Sequence, residues 1–157
     1  MGLFSKTGTP ADPLRDRLTG LKNRDFFHKT YGELGRLESG VYRSMAVFDI
    51  DHFKAANDRI DGDKALLQVV QLAQEAIGMD GELMRWGGDE FLAILSVKPE
   101  EAKVRMKTFT DNVARDTQVT VSVGITEINA DDTFKMNYYR AVQHCYAAKE
   151  SGGNAVR

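Results

Sequence analysis

The sequence predicts an α/β protein, a sandwich of helices on a mixed sheet. Three observations carry this. Segments with apolar residues at helical spacing alternate with short apolar or strictly alternating segments along the chain. In "LMRWGGDEFLAIL" two apolar segments are joined by a Gly-Gly turn too short to hold a helix, which is the mark of a hairpin. "RSMAVFDID" is a nearly continuous apolar run ending in acids, as expected of a strand buried on both faces.

Taken in order, "MGLFSKTGTP" is polar after its first few residues, and residues 1–11 are expected to be a flexible leader ahead of a domain over residues 12–157. "NRDFFHKTYGELGRLES" predicts a helix with Asn23 as N-cap and Phe27, Tyr31 and Leu34 on one face. After the buried strand, "GDKALLQVVQLAQEAIG" places Leu66, Val69, Val70, Leu72, Ala73 and Ile77 at helical spacing and stops at Gly78. Strands over 82–86 and 90–97 flank the Gly-Gly turn. Pro99 suits the first turn of an amphipathic helix in "PEEAKVRMKTFTDNVARD". "QVTVSVGITEI" alternates as a strand, "TFKMNYYRAVQHCYAAKESGG" is a last helix ending near Gly152, and "NAVR" is a short edge strand. The sheet so assembled has about five strands.

Bulk properties exclude several classes. The formal net charge of −2 argues against a surface built for duplex nucleic acid or anionic lipid. There is no transmembrane run, and a single cysteine, Cys145, fits a reducing compartment. A cytoplasmic protein without nucleic-acid or membrane contacts is the expectation.

Two acidic pairs sit at strand ends: Asp49 and Asp51 in "FDIDHF", and Asp89 and Glu90 in the hairpin. Alternate residues of a strand share a face, so Asp49 and Asp51 project together while Ile50 enters the core. If the two strands are neighbours, Asp49 and Asp89 converge. Oxygen ligands of this kind suit Mg²⁺ or Mn²⁺ and leave positions for substrate phosphates. Gly87 and Gly88, lacking Cβ, let the backbone turn tightly and let a bulky ligand approach it. Taken alone, the hairpin is more often a plain turn; a second acid cluster at a separate strand end tips the balance toward chemistry.

These residues resemble a known family. "WGGDEF" at 86–91 matches the signature of the GGDEF domain, the diguanylate cyclases of bacterial signalling. "DRLTGLKNR" at 16–24, "FDIDHFKAAND" at 48–58, "VSVGIT" at 121–126 and "YAAKESGGNAV" at 146–156 resemble further segments of that family, in the family's order. The resemblance implies a palm-like sheet shared with type III nucleotide cyclases, and condensation of two GTP to cyclic di-GMP and two pyrophosphates. It implies two Mg²⁺ or Mn²⁺ per site and a transient antiparallel homodimer, each subunit holding one GTP. It implies that Asp49, Asp89 and the Ile50 carbonyl bind metal, with Glu90 beside them as a further ligand or proton acceptor. By the same resemblance, backbone amides at His52 and Phe53 and the Lys149 cation meet the β- and γ-phosphates. Asn57 and Asp63 then read guanine. Gly87, Gly88 and Arg85 lie at the substrate-binding hairpin, the role of Arg85 being less defined.

Three departures from the family pattern matter. The base-pocket segment "NDRIDGD" is three residues shorter than usual, which shifts the next helix by roughly 4.5 Å. Either Asp63 still reaches guanine, or Asp61 replaces it, or purine recognition is weak. Gly153 stands where the family carries a cation for the triphosphate, a loss of about 1.5–3 kcal/mol of binding. Gly78 and Gly81 stand where relatives have the Arg-x-x-Asp product site, so no product inhibition is expected there. The segment before the domain is short, and the expectation from it is that no receiver or sensor module brings two copies together. An alternative is therefore a catalytically degenerate nucleotide-binding or regulatory module, and a third reading is a cyclase of another purine nucleotide. Asp16 and Arg24 are expected to pair across the Leu-Thr-Gly-Leu turn. His28 and His144 are expected on helix surfaces, Cys145 as a buried thiol, and Trp86 as packing under the hairpin.

Overall fold

The computed structural model describes residues 11–31 and 41–157. Nearly all of the leader expected over residues 1–11, and Leu34, lie outside the described residues. The elements run β1 (Lys22–Asn23), α1 (Arg24–Tyr31), β2 (Ser44–Ile50), α2 (Phe53–Asn57), α3 (Gly62–Ile77), β3 (Gly81–Arg85), β4 (Glu90–Leu95), α4 (Pro99–Asp116), β5 (Val121–Glu127), α5 (Phe134–Glu150) and β6 (Ala155–Val156). The sheet has six strands in the order β1-β3-β4-β2-β5-β6, one more than the five expected. The addition is β1, two residues paired in parallel with β3. Two residues are too short a run to show a period of two, so periodicity could not reveal it.

β2 lies at the centre, antiparallel to both β4 and β5. Its residues alternate between two cores. Ala46, Phe48 and Ile50 join Phe91, Ala93 and Leu95 of β4 under α3 and α4. Met45 and Val47 join Leu92 and Ile94 under α1 and α5. Phe48 and Phe91 stack with ring centroids 5.1 Å apart, each with no exposed surface; a fully buried phenylalanine contributes about 1.5–3 kcal/mol. Both faces being covered explains why β2 reads as an unbroken apolar run.

Helices α3, α4 and α5 form where periodicity places them, whereas the five-residue α2 is too short to show a helical period, and the first predicted helix is described only as far as Tyr31. Leu66, Val69, Val70, Ala73 and Ile77 are the buried stripe of α3, and Gly78 caps it. Asn23 Oδ1 accepts from the Phe26 amide at 3.0 Å, so it does cap α1. α5 lies unusually close to β5: any Cβ at Gly124 would overlap the Ala141 carbonyl and the Cys145 backbone. That approach sets α5 against the centre of the sheet and fixes where its last turn ends.

Candidate active site

Asp49 is the next-to-last residue of β2, opposite Glu90 on β4 and Ser122 on β5. It follows Met45 and Val47 in the strand's alternation, as Glu90 precedes Leu92 and Ile94, so both carboxylates face α5. The two acid-bearing strands are thus neighbours, the condition on which convergence depended, and Ile50 enters the opposite core. The hairpin is closed by the Trp86 and Gly87 amides, which donate to the Glu90 carbonyl at 2.8 and 3.0 Å. The Ile50 amide donates to the Asp89 carbonyl at 3.3 Å, fastening the hairpin tip to the end of β2.

Three groups from α5 meet these acids. Lys149, in its last turn, forms an ion pair with Asp49 Oδ1 at 2.7 Å. Burial raises the Asp49 carboxyl pKa, Asp89 and Glu90 raise it further, and Lys149 opposes the rise without cancelling it. Burial works to lower the Lys149 pKa, but its bonds to Asp49 outweigh this and hold it above the usual range, so it is a cation at neutral pH. Cys145 Sγ lies 3.4 Å from the Ser122 carbonyl and 3.8 Å from Asp49 Oδ1. Burial, then the Asp49 charge, pushes this thiol up to about 12, which makes it packing rather than a nucleophile.

The third group, Tyr138, was not foreseen. Its hydroxyl donates to Glu90 Oε1 at 2.6 Å. Burial, then the bond to Glu90, raises the phenol pKa, so it keeps its proton. The one sequence signal was its place on the buried stripe of α5, four residues after Phe134 and three before Ala141.

Asp51 turns out to hold the fold. It accepts from Thr120 Oγ1 at 2.7 Å, from Ser122 Oγ at 2.6 Å and from the Asn154 amide at 2.8 Å. This staples the closing segment to the site. It also accounts for Gly153, whose φ is +77° and where a Cβ would stand 2.8 Å from Asp51 Oδ2.

The other expected residues divide. His52 is exposed and left-handed, with φ 51°, and leads into α2. The first amides of a helix lack an intrahelical acceptor, so those following His52 can meet an anion. Asn57 is exposed, and its amide fills the space beside the Gly62 Cα. Asp63 is exposed in the first turn of α3, while Asp61 caps that helix by accepting from the Lys64 amide at 3.1 Å. Gly87 and Gly88 are exposed at the hairpin tip.

Arg85, expected at the substrate-binding hairpin, clamps that hairpin to the segment before β1. It bonds both Asp16 oxygens, at 3.1 and 3.0 Å, and donates to the Gly88 carbonyl at 3.1 and 2.6 Å. A five-donor guanidinium so engaged has little left for phosphate. Asp16 therefore pairs with Arg85, and Arg24 lies 5.3 Å over the Trp86 ring instead. His28 is half-buried rather than a surface residue, its ring packed edge-on to Trp86 and Phe134. His144 is exposed, with Nδ1 2.5 Å from the Ile125 carbonyl. Trp86 packs beneath the hairpin at 7% exposure.

The donor chemistry fits a hard divalent cation. Asp49, Asp89 and Glu90 offer only oxygens, and the raised Asp49 pKa, due first to burial and then to its acidic neighbours, marks a carboxylate whose charge a dication would stabilise. Among the described residues no three acidic, His or Cys side chains are drawn into a ready cage. Lys149 supplies the positive charge that Asp49 touches.

A family model described as diguanylate cyclase, GGDEF domain, matches residues 14–155. The chain is 33% identical over 161 residues to the probable diguanylate cyclase DgcT of Escherichia coli (strain K12), covering 90% of this chain and 35% of DgcT. It is 28% identical over 152 residues to diguanylate cyclase DgcM of the same strain, covering 90% and 37%. The chain thus spans about a third of the length of these curated relatives. The GGDEF domain of DgcB from Caulobacter crescentus, solved with c-di-GMP, superposes with a TM-score of 0.83 at 26% identity over 94% of both chains. Diguanylate cyclase SiaD of Pseudomonas aeruginosa, solved with its activator SiaC, gives 0.78 at 29% identity over 92% of this chain and 61% of SiaD.

Proposed function

The chain belongs to the diguanylate cyclase GGDEF domain family, and we propose that it condenses two GTP to cyclic di-GMP, releasing two pyrophosphates, between two antiparallel subunits each holding one GTP. One observation carries the reading: Asp49 and Glu90 face each other on adjacent strands with Lys149 bound to the first. In each half-reaction the 3′-hydroxyl oxygen of one nucleotide bonds to the α-phosphorus of the other. The bond from that phosphorus to pyrophosphate breaks, and the hydroxyl proton is lost.

Asp49, Asp89, Glu90 and the Ile50 carbonyl would hold Mg²⁺ or Mn²⁺, two per site, which would acidify the attacking hydroxyl and neutralise developing charge. Tyr138 holds one oxygen of Glu90, leaving Oε2 for ligand or proton duty. Lys149 and the amides after His52 take the β- and γ-phosphates. Gly87 and Gly88 leave room for the nucleotide at the hairpin. Asn57 and Asp63 read the guanine edge, Asp61 being engaged as a cap. GTP as substrate places the reaction in the cytoplasm, and among the described residues no helix is long and apolar enough to cross a membrane.

Product inhibition through the Arg-x-x-Asp position is not expected. Gly78 and Gly81 stand there, and the nearby Asp80 is bound to Arg105 at 2.7 Å. A second reading, a nucleotide-binding module without turnover, draws support from Asp49 and Glu90 both being held by protein groups.

The test is to incubate concentrated protein with GTP or ATP and Mg²⁺ or Mn²⁺ and separate the products by chromatography. High concentration is needed because a weak dimer is populated by mass action. Cyclic di-GMP that vanishes in Asp89→Ala supports the enzyme. GTP binding without product supports the module, and a cyclic product from ATP alone would reassign the base.

A further inference from the structure

A cavity of about 250 Å³ lies beside the hairpin, on the side of the sheet that carries α1 and α5. Its walls are aromatic, formed by His28, Trp86, Phe134 and Tyr138, with Arg24 and Lys135 among its lining residues. Neither cation forms an ion pair among the described residues; each lies instead over a ring, Arg24 at 5.3 Å from Trp86 and Lys135 at 5.8 Å from Tyr139.

One wall residue, His28, also holds a buried nitrogen, Nδ1, that lacks a hydrogen-bond partner among the described residues, while the buried Trp86 indole N–H lies close enough to the Tyr138 hydroxyl to act on its pKa. Indole nitrogen is a donor only. His28 Nε2 accepts from Arg24 Nε at 3.3 Å, so in the neutral ring the proton sits on Nδ1, and this nitrogen is a donor as well. One unanswered buried donor and two exposed cations without an ion-pair partner among the described residues surround an aromatic pocket, and an acceptor carrying negative charge would answer all three. A buried donor left without one is costly, and native structures rarely retain it without reason.

We propose that this cavity binds a small aromatic anion, a single ring bearing a carboxylate or phosphate. A dry cavity of about 150 Å³ accommodates benzene, so the volume here takes one ring and one charged substituent. The ring stacks among the wall aromatics, and the anion meets Arg24 and Lys135. A small adjustment of His28 brings its N–H group to it. Occupancy also reaches the candidate active site, because Tyr138 is both a wall of the cavity and the donor to Glu90. Binding is independent of the catalytic reading; the effect on turnover rests on it.

Trp86 is the only tryptophan in the chain, so its fluorescence, excited at the red edge of absorption, reports on this cavity. The protein is titrated with benzoate and with phenyl phosphate, and in parallel with acetate, inorganic phosphate and benzyl alcohol. A saturable change is expected with the two aromatic anions, at least about tenfold weaker with ring-free anions or the uncharged ring. Which aromatic anion binds more tightly distinguishes carboxylate from phosphate. The Arg24→Ala/Lys135→Ala variant, checked by circular dichroism and thermal unfolding, is expected to lose about tenfold or more in affinity. Lys107→Ala, far from the cavity on α4, serves as the matched control. No saturable change, an equal response to acetate or benzyl alcohol, or undiminished binding in the folded double variant overturns the proposal. Binding in a protein that makes no cyclic di-GMP would leave the site standing and refute the catalytic reading alone.

Discussion

The Tyr138 hydroxyl and the Glu90 carboxylate, 48 positions apart, are joined by a hydrogen bond of 2.6 Å. It fixes the rotamer of an acid at the hairpin base and leaves one carboxylate oxygen free. A hydrogen bond to a charged group contributes about 1.5–3 kcal/mol, and partial exposure puts this one near the lower end. Tyr138→Phe removes only the hydroxyl. We expect cyclic di-GMP turnover to fall about tenfold with little change in KM for GTP, since the phosphate-binding groups are untouched. Steady-state kinetics on the variant check this; an unchanged kcat would show that Glu90 needs no such hold.

Lys149 makes a different, two-sided prediction. Its ammonium neutralises Asp49 at 2.7 Å, where a divalent ion would do the same. Lys149→Met therefore exposes Asp49 fully to Asp89 and Glu90, and Mn²⁺ alone should bind more tightly. GTP should bind about ten- to a hundredfold more weakly, through loss of a charge-assisted phosphate contact. Calorimetric titration of each ligand separates the two effects, and a variant in which both affinities fall would count against the role assigned to Lys149.

What the sequence disclosed follows from the range of each interaction. The stripe of α3 from Leu66 to Ile77, the Asn23 cap and the unbroken apolar run of β2 are local patterns, and local patterns survive in one dimension. The candidate site was legible only where a motif stood in for geometry, as with Asp49, Asp89 and Glu90. Arg85 illustrates the limit. Its partner Asp16 is 69 positions away, and no spacing rule connects them, so the nearer Arg24 was the natural choice. Tyr138 was hidden for the same reason, since a tyrosine on an apolar helical stripe reads as packing until the strand opposite it is known. Gly153 was visible as an oddity, but its cause was not, because Asp51 lies a hundred residues earlier in the chain.

Gly153→Arg tests that cause. The family pattern suggests that restoring the cation would strengthen triphosphate binding. The backbone here says otherwise: φ is +77°, and a Cβ would stand 2.8 Å from Asp51 Oδ2, itself held by two hydroxyls and an amide. Left-handed backbone costs a non-glycine residue about 1–2 kcal/mol before the clash is counted. We expect the variant to melt several degrees below the parent and to gain no GTP affinity. Thermal unfolding and a GTP titration decide it; a stable variant with tighter binding would mean that the closing segment rearranges freely.

Acid stability provides the last test, through Asp16. Burial alone would raise this carboxyl, but its bonds to Thr19 and Arg85 outweigh burial and hold it below its ordinary value of 3.8. Glu82 is held below 4.5 in the same sense, burial being outweighed by Lys22 and by the Tyr31 and Tyr42 hydroxyls. A carboxylate whose pKa is lower in the folded state is more protonated in the unfolded one, so its stabilisation is present above the unfolded value. That stabilisation disappears as pH falls through the folded value. The urea midpoint should therefore drop as pH falls below about 4.5. Asp49 works oppositely, because its raised pKa makes its contribution grow as pH falls. The comparison that isolates Asp16 is thus wild type against Asp16→Asn, in which Asp49 contributes equally to both. The variant should be less stable at neutral pH, since Arg85 loses its charged partner, and the gap should close as pH falls below the ordinary Asp value of 3.8 and through the lowered folded-state pKa. A gap that stays constant as pH falls from neutral to well below 3.8 would show that Arg85 and Asp16 do not form the pair that clamps the hairpin.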